Sequence, residues 1–256
     1  MPADSNHSEA EKNNKKVAVI LAIIFACLIL GSFLIITILF NWADWVALLI
    51  FSLLIIVPAY ISNASMVLTG GGKPIDGGRI LRDGRRILGD HKTWNGLKGP
   101  LYIGIPISFG IFLLFNGLWE PINGVILDAT AQGQYALYID INIFRYYFIG
   151  GVFPINFLVL FIRIVLASYG AVLGDLFGSF LKRRLNIKSG APFWIVDQLD
   201  FALIALLFIS IPSFIAPNLF LLPDIFITIF LIILTPAVSI IANTVAYAIG
   251  LKDVPW

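Results

Sequence analysis

Residues 157–215 read FLVLFIRIVLASYGAVLGDLFGSFLKRRLNIKSGAPFWIVDQLDFALIALLFISIPSFI, two long apolar runs joined by a basic turn. Each run is long enough to cross a lipid bilayer as a helix, which takes about 20 mainly apolar residues. The turn KRRLNIK, residues 182–188, carries four basic residues. Asp175 stands about two helical turns before the end of the first run, and Asp197 and Asp200 open the second. This is the pattern of a membrane hairpin whose polar end holds charges of both signs.

The chain has 59% hydrophobic and 12% charged residues and a mean hydropathy of +0.93, which excludes a soluble domain. Apolar runs at Val17–Phe40, Trp45–Leu68, Leu101–Trp119, Phe157–Leu181, Phe193–Ile215 and Ile225–Ile249 predict about six membrane spans. The expected fold class is therefore all-α and polytopic. Basic residues set its orientation. Seven lie in 70–99, four in 182–188, three in the amino-terminal tail and one near the carboxy terminus; only Arg145 and Arg163 lie elsewhere. Both termini and both basic loops are thus expected on the cytoplasmic side of the cell membrane. Residues 1–16 read as an unstructured tail, Asp44 as part of an outer loop, and 120–150 as an outer segment lying along the membrane interface. Pro236 is expected to kink the last span. A single cysteine, Cys27, and two histidines, His7 and His91, exclude disulfides within the chain and a histidine-rich metal site.

Read as a helix, Asp175, Ser179 and Lys182 share one face, and Asp197 and Asp200 share a face of the next helix. Acidic groups inside a membrane boundary are costly unless paired or metal-bound. Asp175, Asp197 and Asp200 at matched depth therefore form a candidate Mg²⁺ site, since Mg²⁺ takes one or two carboxylates with phosphate oxygens and water. Simple pairing with Lys182, Arg183 and Arg184 is the plainer alternative. The 70–99 segment, GGGKPIDGGRILRDGRRILGDHKTWNGLKG, offers glycines that admit a ligand close to the backbone, and arginines that grip phosphate bidentately. It lacks the G-x-x-x-x-G-K-[ST] of a P-loop. A basic loop serving only orientation would not need the interleaved Asp76, Asp83 and Asp90. Asn63, near the end of the second span, is either a packing contact or a ligand to nucleotide or phosphate.

The ordered elements Asn63-Ala64-Ser65, Gly70-Gly71-Gly72-Lys73-Pro74-Ile75-Asp76, Arg82-Asp83-Gly84-Arg85-Arg86 and Gly89-Asp90-His91-Lys92-Thr93 are followed by Gly174-Asp175, Ser179-Phe180-x-Lys182-Arg183-Arg184, Gly190-Ala191-Pro192 and Asp197-Gln198-x-Asp200-Phe201. In these, from about Val57 onward, the chain resembles the archaeal CDP-archaeol synthase family, relatives of the CDP-diacylglycerol synthases. It departs from the wider signature in lacking an H-G-G run before the acidic pair. The resemblance implies residues 1–44 as tail plus an additional first helix. It implies 45–256 as a five-helix catalytic domain with cytoplasmic loops 70–99 and 182–192. It implies transfer of cytidylyl from CTP to 2,3-bis-O-(geranylgeranyl)-sn-glycerol 1-phosphate with release of pyrophosphate. Asp175, Asp197 and Asp200 are then the Mg²⁺ ligands and, with Lys182, the catalytic set. Lys182, Arg183, Arg184, Arg85 and Lys92 would hold the phosphates, and Asn63, Asp90 and Thr93 the nucleotide. The implied partners are CTP, the isoprenoid ether-lipid phosphate and membrane lipid, with a homo-oligomer left open and no nucleic acid. Two rivals remain. A CDP-alcohol phosphotransferase needs a D-G-x-x-A-R pattern that neither Asp76-Gly77 nor Asp83-Gly84 continues, and an anion transporter or channel needs more charge deep in the spans than Arg163.

Overall fold

The computed structural model describes residues 3–187 and 193–250; Lys188 and the Gly190-Ala191-Pro192 end of the expected second loop lie outside them. Among the described residues the elements run α1 (Ala3–Leu39), α2 (Trp42–Leu68), α3 (Trp94–Gly99), a π-helical turn (Pro100–Gly104), α4 (Ile105–Gly117), α5 (Trp119–Ala131), α6 (Ile141–Ile149), α7 (Ile155–Arg184), α8 (Trp194–Ile215) and α9 (Ile225–Ala248). Six stretches are long and apolar enough to cross a membrane: Lys15–Leu39, Trp42–Leu68, Trp94–Gly117, Ile155–Arg184, Trp194–Ile215 and Ile225–Tyr247. The all-α, multi-pass architecture is the one expected.

Several boundaries differ for identifiable reasons. The helix α1 begins at Ala3, where an unstructured tail was expected; residues 3–16 contain neither proline nor glycine to break it. The third span starts at Trp94, seven residues early, because Thr93 caps it by accepting the N–H of Gly96 at 3.2 Å. Pro100 cannot donate within that helix, and the chain widens into the π turn that ends with the Ile105 N–H on the Pro100 carbonyl. Asp44 lies inside α2 and not in a loop, and Pro236 sits within a continuous α9.

Helix α7 spans 30 residues, about 45 Å at 1.5 Å per residue, longer than the roughly 30 Å hydrocarbon layer, and Lys182–Arg184 lie in its last turn. Its packing on α8 is backbone to backbone. A Cβ on Gly170 would stand 2.7 Å from the Cα of Ala205, and one on Gly174 would stand 2.5 Å from the Cα of Phe201. Lipid tails are as apolar as a helix surface, so association inside a membrane relies on this kind of close fit rather than on hydrophobic burial. Gly99 and Gly104 do the same against α2, where an added Cβ would meet Ser65 O at 2.6 Å and Ser62 Oγ at 2.3 Å.

The opposite end of the bundle is sealed by polar contacts. Within the segment 120–150, Tyr138 and α6 pack inward, while α5 stays largely exposed. Helix α6 buries Phe144, Tyr146 and Tyr147, and Phe51 meets Tyr138, Phe144 and Tyr147 at ring separations of 4.5–5.0 Å. The fully buried Asp44 accepts the N–H groups of Ala136, Leu137 and Tyr138 at 2.9–3.1 Å. Arg163, also buried, donates to the carbonyls of Tyr146 and Tyr147 at 2.9 Å, placing its cation at the last turn of α6. Removing the carboxylate in Asp44→Ala strands three backbone donors, each worth about 1–3 kcal/mol when buried and unpaired. The expected result is a large fall in the thermal midpoint of the detergent-solubilised protein, with Asp44→Asn intermediate. An unchanged midpoint for Asp44→Ala contradicts this role.

Candidate active site

The loop between α2 and α3 is built by its own polar residues. The chain leaves α2 through Gly71 and Gly72 at φ of 101° and 80°, a left-handed turn open to glycine. Ile75 N–H then bonds to the Lys92 carbonyl at 2.8 Å and Trp94 N–H to the Lys73 carbonyl at 3.2 Å, which lays Lys92 beside the glycine turn. Buried Asp76 clamps the hairpin that follows by accepting the N–H groups of Gly78 and Leu88 at 3.0 Å and the Arg86 guanidinium at 2.6 Å. Arg86 also bonds to Asp90.

The two basic segments meet. Arg184 pairs with Asp83 at 2.6 Å, donates to the carbonyls of Arg85 and Arg86, and stacks over Phe180 at 5.2 Å. Arg85 returns a bond to the Arg184 carbonyl. Both arginines, expected to hold phosphates, thus knit the α2–α3 loop to the end of α7.

Between this loop, α2, α3 and α7 lies a cavity of about 420 Å³, lined in part by Asn63, the Gly70–Gly72 turn, Asp90, His91, Lys92, Thr93 and Asp175. Among the described residues the N–H groups of Gly71 and Gly72 carry no hydrogen bond. Lys92 Nζ bridges both carboxylate oxygens of Asp175 at 2.6 and 2.7 Å. Thr93 lines the cavity, but its hydroxyl is engaged in capping α3. His91, discounted in the sequence as one of too few histidines for a metal site, is exposed at this cavity; its place beside Lys92 was the available signal.

The other acids stand apart from the cavity lining. Asp197 pairs with Lys182 at 2.6 Å and accepts the Phe193 N–H at 3.0 Å. Asp200 sits where α8 touches α7; a Cβ on Gly178 would fall 1.9 Å from its Oδ2. It is also the charged residue lining a separate hollow of about 200 Å³, otherwise walled by apolar side chains such as Phe177, Leu181 and Leu203. Among the described residues no three Asp, Glu, His or Cys side chains gather tightly enough to cage a metal alone. The three aspartates offer the hard oxygen donors Mg²⁺ takes, but two are held by lysines, so an ion there must complete its shell from phosphate and water. Arg183 is half-buried, with a buried Nε that has no partner.

Residues 45–118 and 113–256 match the family described as CarS-like CDP-archaeol synthase. The chain belongs to the CDP-archaeol synthase family. It is therefore an enzyme of the nucleotidyltransferase type. The CDP-archaeol synthase of Thermococcus gammatolerans is 38% identical over 215 residues, covering 84% of this chain and 95% of that protein. That of Methanococcus aeolicus is 36% identical over 209 residues, covering 82% and 97%. A solved intramembrane enzyme for archaeal membrane lipid biosynthesis is 28% identical and covers 77% of this chain and 92% of its own, with a TM-score of 0.45. The family match begins after α1.

Asp76 makes the loop sensitive to acid. Burial pushes its carboxyl upward, but the Arg86 guanidinium and the two backbone donors outweigh burial and leave it below the ordinary carboxylate value. A carboxylate depressed in the folded state adds stability above its unfolded value of about 4, and that stability is lost as pH falls through the lower folded value. Hydrogen exchange across residues 76–88 should stay slow from pH 7 to about pH 4 and accelerate only below it. Loss of protection already between pH 7 and 5 contradicts this assignment.

Proposed function

We propose that this chain transfers the cytidylyl group of CTP to 2,3-bis-O-(geranylgeranyl)-sn-glycerol 1-phosphate and releases pyrophosphate. The observation that carries the reading is the cavity in which the Gly70–Gly72 turn, Lys92, Asn63 and Asp175 converge, in a member of this family. Backbone donors in a left-handed glycine turn, together with an ammonium group, suit phosphate oxygens. The concentration of basic residues on the loops that frame the cavity supports a cytoplasmic placement of the loops and both termini, where CTP is available.

The chemistry fits what these residues offer. The lipid phosphate is already an anion, so an oxygen of it attacks the α-phosphorus of CTP without a base. The new P–O bond forms as the bond from the α-phosphorus to the α,β-bridging oxygen breaks, and pyrophosphate leaves with the electron pair. The barrier is repulsion between the two anions and charge growing on the leaving group, which positioned cations lower. Lys92 would hold the triphosphate from the cavity wall, and Lys182 and Arg183 would do so from the end of α7. Asp175, Asp197 and Asp200 would hold Mg²⁺, whose role is to neutralise phosphate charge. The apolar hollow beside Asp200 supports a place for isoprenoid chains next to the reacting phosphate.

Purified protein given labelled CTP and the ether-lipid phosphate should form CDP-lipid and equimolar pyrophosphate only with Mg²⁺ present. Asp197→Asn and Asp200→Asn should each lower turnover by at least about a hundredfold, or about 2.7 kcal/mol in barrier, while the protein remains folded in the membrane. Full turnover in both variants overturns the metal-site assignment. Absence of CDP-lipid with wild type overturns the reaction.

A further inference from the structure

Of the three aspartates, two are each closed by one lysine. Lys92 takes both oxygens of Asp175 at 2.6 and 2.7 Å, and Lys182 takes Asp197 at 2.6 Å. All four side chains keep some access to solvent, with 18–26% of their surface exposed. Each ammonium sits on the oxygens a divalent cation needs. Two like charges about 4 Å apart repel strongly in a partly desolvated site, so ion and ammonium cannot share a carboxylate without cost.

The two lysines differ from the arginines around them. Arg86 is tied to Asp76 and Asp90, and Arg184 to Asp83 and two carbonyls, so moving either would unpick the loop. Each lysine makes its ion pair from the end of a flexible four-carbon stem. Lys92 also lines the cavity with the Gly70–Gly72 turn, which gives its ammonium a second anionic destination once phosphates are there.

We propose that Lys92 and Lys182 are exchangeable counter-cations: each holds a site carboxylate closed in the resting enzyme, yields it to the incoming divalent ion, and moves onto the triphosphate. The inference rests on reading the site as one for CTP with a divalent metal. It assigns each lysine opposite effects on two ligands. The resting pair weakens metal binding by the fraction of molecules in which it is closed; a pair closed in about nine of ten molecules weakens it about tenfold. The same lysine strengthens nucleotide binding.

The test uses the full-length protein in detergent, with Mn²⁺ alone and CTP alone in chelator as probes, each titrated calorimetrically. Lys92→Met should bind Mn²⁺ about tenfold more tightly than wild type and CTP at least about tenfold more weakly. Lys182→Met should shift both affinities in the same directions, and it decides the matter if the first variant does not fold. Unchanged or weaker Mn²⁺ binding in the folded variants, while wild type still binds CTP, overturns the exchange and leaves the cytidylyl reading standing. Failure of wild type to bind CTP overturns both.

Discussion

The contact of α7 on α8 through Gly170, Gly174 and Gly178 is the constraint from which the rest of the site follows. At Gly170 and Gly174 the backbones come closer than any side chain allows, and at Gly178 the Asp200 side chain fills the place of a Cβ, so the register between the two helices is set residue by residue. That register lays Asp200 against Gly178 and the Asp200 carbonyl against Gly174, the residue before Asp175. Two acids on different helices thereby come to a common depth at one end of the bundle. Nothing in the charge pattern alone would hold them there; unscreened carboxylates inside a membrane boundary repel one another. The backbone fit opposes that repulsion with dispersion contacts along the length of both helices.

Around this register, positive charge is divided by chemistry. Arginine serves where geometry must be fixed: Arg86 and Arg184 each use several donors of a planar fork to bind carboxylates and carbonyls, and Arg163 does the same for α6 at the far end. Lysine serves where a charge must be free to leave, as at Asp175 and Asp197. The far end carries no such mobile pairs among the described residues; Asp44 and Asp224 accept from backbone N–H groups, and Asp224 also from the Tyr138 hydroxyl at 3.1 Å. One end of the bundle is locked and the other is poised.

The spans were legible because an apolar run of about 20 residues matches the thickness of a bilayer and little else, and the meeting of the loops followed from their shared basic character. Loop construction was less legible. Asp76, Asp83 and Asp90 announced themselves by their spacing, yet their partners, Arg86 and Arg184, depend on a hairpin and a helix end about a hundred residues apart. That is why the contacts by which Arg85 and Arg184 tie the loop to α7 were not read from the sequence. Asp44 was misplaced for a related reason: a charged residue at the edge of an apolar run reads as loop, and the three N–H groups that satisfy it come from some 92 residues away. The glycines at 170, 174 and 178 show a four-residue period in the sequence, but small residues carry no charge or hydropathy signal to draw attention to them. The third span was expected from Leu101, and the π turn at Pro100 follows only once Thr93 is known to open the helix earlier.

The most direct measurement of whether this helix register sets the site is turnover of Gly178→Ala beside its thermal midpoint. One methyl group there must displace the Asp200 carboxylate, and a shift of about 1 Å in a positioned group can cost a hundredfold in rate. Turnover should fall by that order while the midpoint drops only modestly. Wild-type turnover in Gly178→Ala would contradict the dependence of the site on the helix register.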